Sequence, residues 1–189
     1  MSLDLEAAVN WLADQPGSIA LHESLYAYTY IETAHVLGIM LFVGTIAMVD
    51  LRLLGLAFTR STVSQMSGRI LPWTVAGFVL MIGTGLALFY AIPVRSFHSL
   101  WFRLKLLLMG AAAINIFIFH WRVERDRDRW DRDPTPPAGA RISAALSLAL
   151  WAGVVVTGRM IAYNWFDCDK PQPPFIHIVA GCPAQLIEP

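Results

Sequence analysis

The chain has 189 residues, 56% of them hydrophobic and 15% charged, with no net formal charge and a mean hydropathy of +0.53. Soluble domains carry charge on about a quarter of their residues, so this composition excludes an ordinary soluble domain. Its apolar residues also run in unbroken blocks instead of alternating with polar faces, which excludes a soluble helical bundle.

At the N-terminus Leu5, Ala8, Val9 and Leu12 recur at helical spacing among Asp4, Glu6 and Asp14, and Gln15-Pro16-Gly17-Ser18 ends the pattern. The spacing predicts a short amphipathic helix lying on the outer membrane surface. There is no charged leader and no small-residue cleavage site ahead of the first apolar block, so the segment reads as retained. Four uncharged blocks follow, Val36 to Val49, Ile70 to Val94, Leu106 to Phe119 and Ile142 to Gly158. A helix needs roughly 20 residues to cross about 30 Å of hydrocarbon. Extended through their flanks, the blocks predict membrane spans at 25–56, 70–93, 98–121 and 142–165. The fold class expected is therefore all-α, a four-helix integral membrane bundle in one domain.

Basic residues orient it. The connections after the first and third spans hold nine, Arg52, Arg60, Arg69, Arg122, Arg125, Arg127, Arg129, Arg132 and Arg141, against Arg95 and Lys170 in the opposite segments. Short loops rich in Lys and Arg stay cytoplasmic, which predicts both termini outside, in the periplasm of a bacterial inner membrane. In the loop from Arg122 to Asp133 basic and acidic residues nearly alternate. Without like-sign clustering it reads as a solvated extension of the third helix and not as a nucleic-acid patch. The tail at 166–189 contains the two cysteines, Cys168 and Cys182, around Pro171-Gln172-Pro173-Pro174. In an oxidising compartment such a pair forms a disulfide, and a metal site of Cys168, His177 and Cys182 is the alternative.

Polar residues within the spans carry any chemistry, because charge at membrane depth is costly. Glu32 and His35 lie one turn apart on the first span, placing Glu32 to accept a proton from one nitrogen of His35. On the third span His98 and Lys105 are a heptad apart and share a face, with His120 at the far end. Arg159 and Tyr163 stand at i and i+4 on the fourth. Asp50 and Arg52, near the end of the first span, are expected to reach the aqueous surface by snorkelling, and Arg103 and Lys105 are close enough to the outer surface to do the same. Gly77, Met81, Thr84 and Gly85 mark the close-contact face of the second span.

Two stretches carry a family resemblance. Ile31-Glu32-Thr33-Ala34-His35-Val36-Leu37-Gly38, running to Asp50-Leu51-Arg52-Leu53-Leu54, and Trp101-Phe102-Arg103-Leu104-Lys105, ending at Phe119-His120, are similar to spans of the HemJ-type protoporphyrinogen oxidases. More loosely they resemble the CopD-type copper membrane domains. Over nearly the whole span region, through Leu71-Pro72-Trp73 and Gly158-Arg159-Met160-Ile161-Ala162-Tyr163, the chain looks like a bacterial family of four-helix membrane proteins of unknown function. The HemJ resemblance implies haem b at a histidine and a lysine that match His35 and Lys105. Its fourth-span Asn-Glu-x-Pro opening and Lys-Pro exit are absent, which leaves porphyrinogen oxidation without its motif and porphyrin or metal binding open.

Three functions remain. The first is a haem b protein passing electrons between a periplasmic partner and the membrane, with His35 an axial ligand and Lys105 or Arg159 holding propionates. The second is copper handling through His35, His98 and methionines such as Met40 and Met109. The third is a non-catalytic subunit of a larger membrane complex.

Overall fold

A computed structural model describes residues 2–123, 125, 127–133, 135–163 and 175. The expected pairing of Cys168 with Cys182, and the alternative site with His177, lie outside the described residues.

Nearly every described residue before position 164 belongs to a helix or to a short turn between helices. Two short helices open the chain, α1 (Ser2–Ala13) and α2 (Pro16–Glu23). The long helices are α3 (Leu25–Leu53), α4 (Val63–Ala91), α6 (Leu100–Ile118) and α8 (Ala138–Tyr163), with the short α5 (Pro93–His98) and α7 (Arg127–Trp130) between them. Four helices are long and apolar enough to cross a membrane: Leu25–Leu53, Val63–Ala91, Leu100–Arg122 and Ala138–Ala162. Their outward faces are apolar, as lipid contact requires: Leu37, Val79, Leu107 and Phe117 are all exposed.

Local chemistry sets the helix ends. The hydroxyls of Ser24, Thr62 and Ser99 accept from the backbone N–H groups of Ala27, Gln65 and Phe102, capping α3, α4 and α6. Helix α4 therefore begins at Val63, ahead of the uncharged block that starts at Ile70, and Thr62-x-x-Gln65 is the capping signal in the sequence. After α3, Gly55 takes a φ of 73°, and the N–H groups of Leu56 and Gly55 return to the carbonyls of Leu51 and Arg52. This left-handed closure is one that glycine adopts without strain. Ser99 interrupts the expected third span. It is extended (φ −73°, ψ 119°) and caps α6, so Arg95 to His98 belong to a separate helix that starts at Pro93.

The long helices pack in the order α4, α3, α8, α6, while α4 and α6 scarcely touch. Glycines bring α3 and α4 together: a Cβ on Gly77 would lie 2.7 Å from the backbone nitrogen of Phe42, and one on Gly38 2.9 Å from that of Met81. Phe42 meets Trp151 of α8 edge-on, with centroids 4.9 Å apart. Helices α6 and α8 are joined by a reciprocal pair in which Asn115 Nδ2 donates to the Ser143 carbonyl and Ser143 Oγ donates to Asn115 Oδ1.

At the end where α3 terminates, two expectations are corrected. Arg52 does not snorkel. Only 1% of it is exposed, Nε donates to the Ser61 carbonyl at 2.7 Å, and Nη2 donates to the Asp133 carbonyl at 3.1 Å. Nor is the Arg-rich loop simply a solvated extension of the third helix. After a π-helical turn at Phe119–Val123 it folds back, burying Trp130 with Leu53, Val63, Ala140 and Ala144. Asp131 Oδ1 accepts from the Ser64 N–H at 2.8 Å. Burial of a large aromatic ring outweighs solvation of the alternating charges around it.

Candidate functional site

The close approach of α3 and α4 sets His35 against Thr84 and Gly85. A Cβ on Gly85 would stand 3.1 Å from His35 Cε1, so a small residue makes room for the imidazole. Thr84 Oγ1 donates its one proton to the Leu80 carbonyl at 2.6 Å, and His35 Nδ1 lies 3.0 Å from the same oxygen. A hydroxyl whose proton is already committed can only accept. With that proton on the Leu80 carbonyl, the tautomer of His35 that satisfies both groups carries its hydrogen on Nδ1 and keeps the Nε2 lone pair.

His35 lines a cavity of about 320 Å³ to which all four long helices contribute walls. Ile39 and Val43 of α3, Met81, Ile82, Leu86 and Phe89 of α4, Phe102, Leu106 and Met109 of α6, and Trp151 and Val154 of α8 make its walls. The second cationic or basic group in it is Lys105 of α6, which passes beside Gly158 of α8: a Cβ there would be 3.8 Å from Lys105 Nζ. No hydrogen bond or ion pair engages Lys105 among the described residues. Phe89 and Phe102 stack across the gap between α4 and α6, with centroids 5.6 Å apart and planes 16° from parallel.

Two of the residues expected at a site thus converge, His35 and Lys105. The others fall elsewhere. Glu32 lies on an exposed face of α3, and the group bonded to His35 Nδ1 is Thr84 on the neighbouring helix. His98 ends α5 and packs its ring edge-on against Phe97, so it shares no helical face with Lys105. Arg159 is exposed and does not line the cavity. Tyr163 closes α8, and its side chain lies outside the described part of the molecule. Met40 points away, being 65% exposed, whereas Met81 and Met109 face the cavity. His120 sits at the far end of α6 with Nδ1 against the Ile116 carbonyl at 3.0 Å.

Thr84, Phe89, Phe102 and Trp151 had no site role in the sequence. Thr84 stood out there only as a small residue, because its bond to His35 depends on how two helices are rotated.

Among the described residues no three His, Cys, Asp or Glu side chains come together. A metal in the cavity would rest on His35 Nε2 and the thioethers of Met81 and Met109, and an acidic group would meet Lys105. No family profile, no curated protein and no solved structure matches the chain.

Proposed function

We propose that the chain is a haem b-binding redox protein of a bacterial inner membrane, with His35 as an axial ligand and Lys105 as the partner of a propionate. One juxtaposition supports this reading: the His35 imidazole and the Lys105 ammonium, which has no counter-ion among the described residues, share one apolar, aromatic-walled cavity. Lys105 is the sixth residue of an apolar helix, where an ammonium carries a desolvation cost. An acidic group on the ligand offsets that cost at Lys105, whereas a bare copper cation is repelled by it.

Haem b combines what the cavity lacks, a metal that accepts imidazole and carboxylates on an apolar body. The volume is near the lower bound of about 300 Å³ for small-molecule pockets, and the thin side between α4 and α6 leaves room for the rim of a macrocycle. Met81 and Met109 offer thioether sulfur for the second axial position. Haem held there would supply a one-electron couple, and this chain's residues would orient it and exclude water.

The distribution of loop arginines supports a topology with both termini periplasmic. Cys168 and Cys182 would then face an oxidising compartment as a disulfide worth about 3 kcal/mol in the chain-entropy model. The redox partner would be a periplasmic carrier or a larger membrane complex.

The test is to purify wild type and His35→Ala in parallel, confirm helicity by circular dichroism, and measure absorption and metal content. A Soret band in wild type that His35→Ala abolishes is the expected result. Copper handling is the second reading, favoured by the two thioethers beside His35; stoichiometric copper without a Soret band would select it. Neither cofactor, or equal content in both proteins, would replace both readings with a non-catalytic subunit.

A further inference from the structure

The order of the long helices leaves one flank of the bundle thin. Helix α3 packs along α4 and α6 along α8, but α4 and α6 scarcely meet, and the cavity lies in that gap. Leu86 of α4 and Leu106 of α6 line the cavity, yet they are also 65% and 51% exposed on the outer surface. There the wall is a single side chain thick.

The route from the N-terminal end of the bundle is covered more heavily. Phe89 and Phe102 stack across it. Beyond them α2 is pinned to the end of α4, where Ser18 Oγ donates to the Tyr90 carbonyl at 2.7 Å and Gly17 lets the Tyr90 hydroxyl approach. His35 lies ten residues into α3, about 15 Å from its start at about 1.5 Å per residue. Leu86 stands five residues before the end of α4 and Leu106 six after the start of α6, so the thin wall lies roughly 7 to 9 Å inside those helix ends at about 1.5 Å per residue, on their apolar outer face.

We propose that the seam between α4 and α6 is a lateral port, through which a lipid-dissolved ligand with a carboxylate end reaches His35 and Lys105 from the bilayer. The apolar seam selects a ligand that partitions into hydrocarbon, and the Lys105 ammonium selects the acidic end. The identification of that ligand as haem rests on the proposed function. The port itself does not.

The test uses the full chain in nanodiscs, with wild type compared with Leu86→Phe/Leu106→Phe, in which larger rings fill the seam. Single Leu106→Phe serves if the double variant melts early. The first probe is a nitroxide-labelled stearic acid, read by quenching of Trp151 emission, taken as the difference from Trp151→Phe in each background. Quenching in wild type that falls at least fivefold in the filled variant is expected, with a nitroxide phosphatidylcholine quenching little in either. Equal quenching by the fatty acid in both, or none in wild type, would overturn the port.

The second probe is hemin supplied in donor vesicles. Its uptake should slow at least tenfold in the filled variant, and equal uptake rates would overturn the port. If wild type takes up no hemin while the fatty acid still reaches Trp151 only through an open seam, the port stands and the haem reading falls.

Discussion

Arg52 and Lys105 are both cations on long apolar helices, and their surroundings treat them in opposite ways. Arg52 is sealed at one end of the bundle, where its guanidinium fork grips the Ser61 and Asp133 carbonyls and ties the end of α3 to the loop that follows it and to a loop 81 residues away. Lys105 stands in a cavity beside His35 with no such partner among the described residues. The difference separates two uses of buried polarity. A group that bridges backbone carbonyls of separate segments holds the fold together, and one that faces a cavity is available to a ligand.

Removing the fork should produce the largest effect. Arg52→Ala deletes both bonds and empties the space of a side chain only 1% exposed, so it should cost about 3 to 4 kcal/mol. Thermal unfolding in detergent measures this. Arg52→Lys should recover only part, because one ammonium cannot reproduce the planar fork. If Arg52→Ala unfolds like wild type, the sealed cluster is not structural, and the contrast with Lys105 collapses.

Next in size is Gly77→Leu. Its side chain would collide with the backbone of Phe42, which lies 2.7 Å from the position of a Cβ. Forcing α3 from α4 should cost about 2 to 3 kcal/mol, and it should also disturb the His35–Thr84 bond two turns away. Unfolding together with the nitrogen chemical shifts of labelled histidine reads both effects. A destabilised variant that keeps the Nδ1–H form of His35 would show that the site is positioned independently of helix spacing.

These positions differ in how far the sequence discloses them. Four apolar blocks are enough to reveal four long helices, because lipid demands continuous apolarity that one-dimensional composition records. The small face of α4 is equally legible: Gly77, Met81, Thr84 and Gly85 do meet α3 and His35. What escapes depends on breaks and rotations. His98 reads as a continuation of the third span until Ser99 turns the chain, although Ser99 is itself a capping residue. Glu32 is the nearer carboxylate in sequence, but the hydroxyl that fixes His35 comes from another helix. The grip on Arg52 is the least legible feature, since the Asp133 carbonyl is 81 residues away and a backbone oxygen leaves no mark in sequence.

The smallest stability change, and the one that sharpens the comparison most, is expected for Lys105→Met. Methionine nearly matches the length of lysine and suits an apolar wall, so the substitution deletes the charge without opening much space. No counter-ion or hydrogen bond engages Lys105 among the described residues, and the charge borders an apolar cavity. Losing it should therefore leave stability within about 1 kcal/mol of wild type, in the direction of a gain. Binding should move the other way. A charge-assisted hydrogen bond is worth about 1.5 to 3 kcal/mol, so hemin affinity should fall roughly tenfold to a hundredfold, with Lys105→Arg retaining most of it. Paired measurements of unfolding and hemin titration on the same preparations decide the matter. A variant that loses 2 kcal/mol or more of stability, or one that binds hemin as wild type does, would place Lys105 beside Arg52 as a structural cation and leave His35 without its partner.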